Sequence, residues 1–343
     1  MRCLVTGGNG HLGFNLVQAL LARGQRVRAT VRSLAERAKT ARLAALPGLE
    51  LAEADVRDEA QMRSALDGVD MLFHVAAVYS LAEPGRDAEI LAAATRGTEV
   101  SLRAAAAAGV QRVVMTSSVV TLPLTAPGAP PATEADWATD LRVPYVRAKT
   151  ESERLAWRLA DELGLSLATV LPAGIIGPGF ARNTPTLDIV QACLMGEFRL
   201  GAPAGNFSFV DVRDVAEAHL LAAERGARGR FIVGYDVAPS FDRLVRTLAR
   251  IDRRVKPPLM VLPVFMAPLL PLYDRFSHAV FGTPRIATPE GIASAVSGKV
   301  WNYSCARAKA ELGWAARIPF EQSLRDTVAA LRARSTAGAR GGD

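Results

Sequence analysis

Arg2-Cys3-Leu4-Val5-Thr6-Gly7-Gly8-Asn9-Gly10-His11-Leu12-Gly13 is the stretch that decides the fold. Residues 2–6 are short and apolar, the pattern of a buried strand, and a glycine turn ends them. Apolar residues then recur at helical spacing over 14–21, and Val27 to Arg32 follows Gly24 as a second strand. Strand, glycine turn, helix and strand within about thirty residues form the βαβ context that a dinucleotide fingerprint requires. Gly7 serves the tight turn, Gly10 a close backbone approach to a pyrophosphate, and Gly13 the packing of helix on strand. The helix N-terminus offers its free N–H groups to the anion. A glycine-rich turn without a ligand is the plain alternative; the strand before and helix after argue against it.

Outward from this unit the rhythm continues. A helix is expected over 34–46, strands over 49–55, 71–77, 112–118 and 166–171, and long helices over 87–108 and 141–163. The fold class is therefore α/β, a doubly wound parallel sheet covered by helices on both faces. Ligands to such a sheet sit beyond the carboxyl ends of its strands, where Gly7, Arg32, Asp55, Ala76 and Ser118 fall. After Pro172 the pattern breaks into a Gly/Pro-rich loop over 173–185. Short strands follow at 207–210 and 231–234, around a helix at 212–224, and helices dominate beyond Pro239. The expected organisation is a nucleotide-binding domain of 1–171 plus about 207–235. A smaller, mostly helical substrate region takes about 172–206 plus 236–334, and 335–343 is a disordered tail. Residues 257–273 are apolar but carry five prolines, too broken to span a bilayer. They are expected as a helix pair against the cleft, with a weak membrane-surface contact as the alternative.

Half of the 343 residues are hydrophobic, which marks a globular chain, and the net charge is +7. The basic residues are spread without a run of five, so nucleic acid is not an expected partner. Cys3, Cys193 and Cys305 lie far apart with no metal-binding spacing, which fits a reducing, cytoplasmic setting and no metal. The glycine turn interrupts any apolar leader, so no signal peptide is expected.

Tyr145 and Lys149 stand four apart near the start of the 141–163 helix, hence on one face. An ammonium beside a phenol favours the phenolate and lowers its pKa from about 10. Bringing it near 7 takes roughly 4 kcal/mol, which the lysine and a bound nicotinamide together could supply. Ser118, at a strand end, can hydrogen-bond the same substrate oxygen. An exposed helix pair of no consequence is the ordinary reading of Tyr-x-x-x-Lys. Here it follows both a dinucleotide turn and a strand ending in Thr116-Ser117-Ser118.

With these residues in hand, the chain resembles the extended short-chain dehydrogenase/reductase family. The resemblance runs through 6–13, His74 to Ala77, Thr116 to Ser118, Tyr145 to Lys149, 172–178 and 209–216. It implies Tyr145 as proton donor, Lys149 as its tuner and ribose contact, and Ser118 as oxygen clamp, with Ser117 the alternative. It implies cofactor contacts from Gly7, Asn9, Gly10, His11, Leu12, Gly13, Arg32, Asp55, Val56, Val75, Ala76, Ala77, Thr116, Pro172 and Ile175, besides Tyr145 and Lys149. Substrate contacts are expected from Tyr79, Val119, Val120, Arg182 and Phe209.

Val27 to Arg32 looks like the dihydroflavonol reductase branch. Arg32, in place of the acid that holds a ribose diol, suits a 2′-phosphate, so NADP(H) is expected, with NAD the alternative. The acid pair of dehydratases is replaced by Val119-Val120, and the usual Asn of the fourth helix by Thr95. The expected activity is NADPH-dependent reduction, or the reverse, of a ketone or aldehyde on a fairly apolar small molecule. Met260, Phe265 and Met266 motivate the apolar character. Arg182, Arg199 and Arg213 instead suit a nucleotide-sugar diphosphate, which keeps an epimerase with retained NAD(P) as the alternative. A sterol- or hopanoid-type 3-hydroxy dehydrogenase and a non-catalytic nucleotide sensor are the others. The resemblance also implies a homodimer through the two long helices.

Overall fold

The computed structural model describes residues 1–76, 87–283 and 297–340. In chain order the first half reads β1 (Arg2–Val5), α1 (His11–Ala22), β2 (Arg26–Val31), α2 (Arg37–Ala44), β3 (Leu49–Glu53), α3 (Glu59–Leu66) and β4 (Met71–His74). It continues with α4 (Asp87–Ala107), β5 (Arg112–Thr116), α5 (Pro144–Leu163) and β6 (Ser166–Pro172). Then come β7 (Gly174–Ile176), α6 (Pro185–Met195), β8 (Ala202–Pro203), β9 (Phe209–Asp211), α7 (Val212–Glu224) and β10 (Gly229–Val233). The chain closes with α8 (Phe241–Ile251), β11 (Val261–Leu262), α9 (Leu270–Phe281) and α10 (Phe320–Arg340).

Seven strands form one parallel sheet in the order β10-β6-β5-β4-β1-β2-β3. The chain winds outward from β1 in one direction through β2 and β3, then returns to β1 and winds the other way through β4. The switch point therefore lies between β1 and β4, where an open α/β sheet leaves its ligand crevice. Strand alternation sorts the core. Cys3 and Val5 join a buried cluster with Leu16 of α1 and Val215 of α7, whereas Leu4 joins Met62 of α3, Val100 of α4 and Leu159 of α5 on the other face. A third cluster, around Phe209, Leu244 and Leu324, belongs to the region after Pro172.

The switch point is stitched by one side chain. Thr6 Oγ1 accepts hydrogen bonds from the N–H groups of Val75 and Ala76, each at 3.0 Å, tying the end of β1 to the end of β4. Gly7 follows at φ +68, and a Cβ there would stand 3.0 Å from Ala76 Cα. Only glycine lets the two strand ends come this close.

Several expectations are corrected. The helix over 34–46 shortens to α2, and the one over 141–163 begins at Pro144, because proline is preset for the first helical position. The chain forms α3 where none was expected, capped by Asp58, which accepts from Gln61 N at 3.0 Å. The 173–185 loop contains β7, and β9 pairs with β7 rather than entering the main sheet. Residues 257–273 form β11, a 3₁₀ turn (Val264–Leu269) and the start of α9, not a helix pair, and much of their apolar surface is exposed. The last helix runs to Arg340, six residues into the stretch expected to be unstructured. No helix among the described residues is long and apolar enough to cross a membrane.

Replacing Thr6 by the isosteric Val removes one acceptor and strands two donors at the switch point. We expect a loss of about 1–3 kcal/mol in stability, read as a lowered urea midpoint. An unchanged midpoint would mean that water satisfies both N–H groups.

Candidate active site

The glycine turn is built for close approach. A Cβ on Gly13 would fall 2.3 Å from the Gly7 carbonyl oxygen, and one on Gly8 would fall 2.7 Å from Ala29 Cβ. Gly10 is the N-cap of α1 and brings no side chain, so the first N–H groups of the helix keep their capacity for an anion. Asn9 is half-buried on the rim and Leu12 points into the core. A dinucleotide pyrophosphate fits this cradle; a chain with side chains at 8 or 13 could not form it.

His11 and Asn15 latch the turn to a distant loop. His11 Nε2 lies 3.0 Å from the Pro178 carbonyl, and Asn15 Nδ2 donates to the same oxygen at 3.1 Å. A carbonyl can only accept, so Nε2 carries the proton. Burial holds the His11 pKa down at about 4, which keeps the ring neutral. Gly179 packs so tightly on Asn15 that a Cβ would meet its amide at 2.4 Å.

One cleft beyond the sheet is lined by Val56, His74, Ala76, Thr116, Tyr145 and Lys149. Tyr145 and Lys149 sit in the first turns of α5 and face it together, as their spacing requires. Burial pulls the Lys149 ammonium down to about 8, with Glu153 opposing the shift. His74 is held near 4 by burial first and by the Lys149 charge second.

The two serines after β5 have different surroundings. Ser117 is buried, and its hydroxyl donates to Glu153 Oε2 at 2.7 Å. Ser118 is half-buried; its Oγ accepts only a long 3.3 Å bond from Val120 N, as N-cap of a 3₁₀ turn at Val119–Thr121. The Ser117 hydroxyl is committed to structure, whereas the Ser118 hydroxyl has no acceptor for its proton among the described residues.

Behind them lies an ion pair that sequence reading missed. Glu153 is fully buried and accepts from Ser117, from Thr169 Oγ1 at 2.7 Å and from Arg230 Nε at 3.0 Å. Arg230 also donates to the carbonyls of Glu134 and Asp136, both at 2.7 Å, and to Thr121 Oγ1 at 2.9 Å. Its guanidinium stacks 3.7 Å from the Trp137 ring centroid. The one local signal was an acid four residues beyond Lys149 on a helix face that must be inside. Its partner lies 77 residues away.

The remaining site residues are spread around this core. Arg32 is exposed at the end of β2, with no ion pair among the described residues. Asp55 is bridged by Arg57 at 2.5 Å, and Val56 packs over Gly97. Val75 is half-buried; Thr116 Oγ1 meets His219 Nε2 at 2.8 Å. Pro172 ends β6 buried, and Ile175 packs against the main core from β7. Thr95 turns its hydroxyl back to the Leu91 carbonyl at 2.9 Å. Ala77 and Tyr79 lie outside the described residues.

Three of the expected substrate contacts are corrected, Val119 and Phe209 by burial and Arg213 by pairing. Val119 is core, and Phe209 is fully buried among Phe207, Phe320 and Tyr235, because each falls on the inward side of its turn or strand; Val120 alone of these stays half-exposed. Arg182 is exposed near Glu36, whose carboxyl is held low first by Lys39 and only last by Arg182, which places Arg182 by the β2–α2 loop. Arg213 is neutralised by Asp211 and Asp326, at 2.9 and 2.6 Å, so it has no charge to spare for a diphosphate. Arg199 is exposed next to Leu200, in the same lobe as α9.

The model of the NAD dependent epimerase/dehydratase family matches residues 3–234. "Sterol demethylase protein B" of Methylococcus capsulatus is 35% identical, the alignment covering 91% of this chain and 93% of the relative. A "4-hydroxy-2-methyl-3-oxo-4-farnesyl-3,4-dihydroquinoline-1-oxide ketoreductase" of Stigmatella aurantiaca is 32% identical over 94% of this chain and 95% of its own. The crystal structure of gox2253 superposes with a TM-score of 0.81 at 32% identity, covering 97% of this chain and 98% of the other.

Two outcomes follow from the buried network and the lysine. Glu153→Gln leaves Arg230 buried without its counter-charge and is expected to cost about 3 kcal/mol in unfolding free energy. Adding Arg230→Met should recover more than half of that loss, and a further loss instead would mean that the pair is not coupled. The Lys149 proton leaves near pH 8, below its unfolded value, so a step that needs the ammonium is intact below 8 and fails above it. Rate should fall about tenfold per pH unit above that point, and the limb should vanish in Lys149→Met.

Proposed function

The chain belongs to the NAD dependent epimerase/dehydratase family, and from that premise we propose an NADPH-dependent reductase of a ketone or aldehyde on a fairly apolar small molecule. It is an NAD(P)-dependent oxidoreductase. The observation that carries the reductase reading is the shared cleft: Tyr145 and Lys149 line it together with Val56, with Ala76 from the end of β4, and with Thr116 from the end of β5, next to the strand pair at which the sheet switches direction. When bound, the cofactor supplies the hydride. Gly7, Gly10 and Gly13 would hold its pyrophosphate, and Val56 would border its adenine.

In this reading Ser118 Oγ donates a hydrogen bond to the substrate carbonyl oxygen, which orients the carbonyl and favours negative charge on the oxygen. Tyr145 then gives its proton to that oxygen, so the product leaves as the alcohol and the phenol is recharged from water. Lys149, one turn along α5, lowers the cost of the phenolate that remains. The bond of the Ser117 hydroxyl to Glu153 supports Ser118 over Ser117 in this role.

Arg32 supports NADPH over NADH: it closes β2 where an acid would hold a ribose diol, and its forked charge matches a 2′-phosphate. The apolar substrate is supported by two of the relatives matched over more than nine-tenths of their length, one named for a sterol and the other for a farnesylated quinoline ketone. The pairing of Arg213 with Asp211 and Asp326 weighs against a nucleotide sugar. In this proposal the elements of 172–206 and 236–334 shape the substrate side, residues 1–171 with 207–235 hold the cofactor, and α4 and α5 meet their copies in a cytoplasmic homodimer.

Replacing Tyr145 by Phe should cut carbonyl reduction by at least about 10³-fold and leave NADPH binding within about twofold. Arg32→Asp should weaken NADPH binding about a hundredfold and spare NADH. Turnover retained in Tyr145→Phe would sink the mechanism. Stoichiometric NAD released on denaturing the purified protein would point to an epimerase instead.

A further inference from the structure

Helix α9 is inside out. Its buried positions are polar, with Asp274 at 3% and Ser277 at 2% exposure, whereas Leu272 is 69% and Phe276 58% exposed. The polar seam is anchored: the Ser277 hydroxyl donates to the buried Glu197 carboxylate, Thr283 donates to Ser277 at 2.9 Å, and Tyr273 OH reaches the Glu197 carbonyl at 2.9 Å. An amphipathic helix ordinarily turns its apolar face to the core. Here hydrogen bonding holds the opposite orientation.

The segment leading into α9 continues the same surface. Leu259 is 78% and Phe265 80% exposed, with Met260 and Leu269 beside them in sequence. Leu259 N bonds to Arg199 O at 3.1 Å, which brings exposed Leu200 against this segment. Scattered surface leucines need no explanation, but a run of this extent marks a binding face.

Charge identifies the occupant. Residues 253–283 hold Arg253, Arg254, Lys256 and Arg275, all exposed, against a single acid, Asp274, which is buried. Exposed Arg199 adds to the same rim. A second copy of the chain would bring this basic rim onto itself, since a two-fold contact is self-complementary. A negatively charged lipid surface meets both requirements at once, taking the apolar side chains into the headgroup boundary and the basic ones at its phosphates. We propose that the face formed by Leu259, Met260, Val261, Phe265 and the outer side of α9, with the exposed Arg199, Arg253, Arg254, Lys256 and Arg275 on the same segments, is a docking site for an anionic lipid bilayer.

The test is flotation of the full-length protein with vesicles of phosphatidylcholine alone and of phosphatidylcholine mixed with phosphatidylglycerol. Binding is expected only to the mixed vesicles, falling at least about tenfold as salt rises from about 0.1 to about 0.5 M. Phe265→Ser/Leu272→Ser/Phe276→Ser and Arg253→Gln/Arg254→Gln/Lys256→Gln should each lose about tenfold or more in vesicle affinity, with melting temperature and NADPH binding kept. No recovery with mixed vesicles would overturn the proposal, as would binding indifferent to lipid charge. So would a dimer, measured by light scattering, that the Phe265/Leu272/Phe276 variant converts to monomer.

Discussion

The structure hangs on the close meeting of two parallel strand ends, β1 and β4. A parallel sheet wound outward in two directions must part its connections somewhere, and the parting leaves a crevice. Thr6 closes the base of that crevice by accepting two backbone N–H groups from β4, and Gly7 turns away with no Cβ to push Ala76 back. The rest follows in order. With the strand ends fixed, α1 starts at Gly10 with its N-terminus toward the crevice. The β5 terminus, carried two strands to one side, brings Thr116 to the cleft that α5 lines with Tyr145 and Lys149, and Ser118 follows two residues on.

Precision at that edge depends on a second, buried constraint. A carboxylate and a guanidinium inside a protein are worth little to stability by themselves, because both give up their water. What Glu153 and Arg230 contribute is geometry. Glu153 ties α5 to β5 through Ser117 and to β6 through Thr169, while Arg230 reaches from β10 to the 134–136 loop and Thr121. Four elements that carry or flank the candidate residues thus share one hydrogen-bonded centre. That centre occupies the hydroxyl of Ser117, the first of two adjacent serines, and not that of Ser118.

The sheet was legible in the sequence because its signals are local. Short apolar strands, a glycine turn and helical spacing each declare themselves within a few residues, and α7 runs over the very residues its periodicity marks, Val212–Glu224. The glycine turn and the Tyr145/Lys149 pair were legible for the same reason. What escaped was set by distant partners. Arg213 reads as an available cation until Asp326, 113 residues on, is placed beside it. Phe209 and Val119 read as cleft residues by position, yet which face of a short strand or turn is inward depends on what packs behind it. Arg230 has no local signal at all: its role comes from a helix, a turn and a loop that converge on it.

The apolar stretch at 257–273 shows the same limit from the other side. Apolar composition argues for burial only as a tendency, and a helix settles which face is inside by the better of two packings. For α9 the winning contact is polar. A buried Glu197 needs donors, and Ser277 and Tyr273, four apart on one face, provide a side-chain and a main-chain anchor to that residue. Satisfying a buried carboxylate outweighs hiding Leu272 and Phe276, because an unpaired charge in the interior costs more than two exposed apolar side chains do. The outward apolar face is therefore a consequence of how the inner seam is satisfied, and it persists as long as Glu197 stays buried.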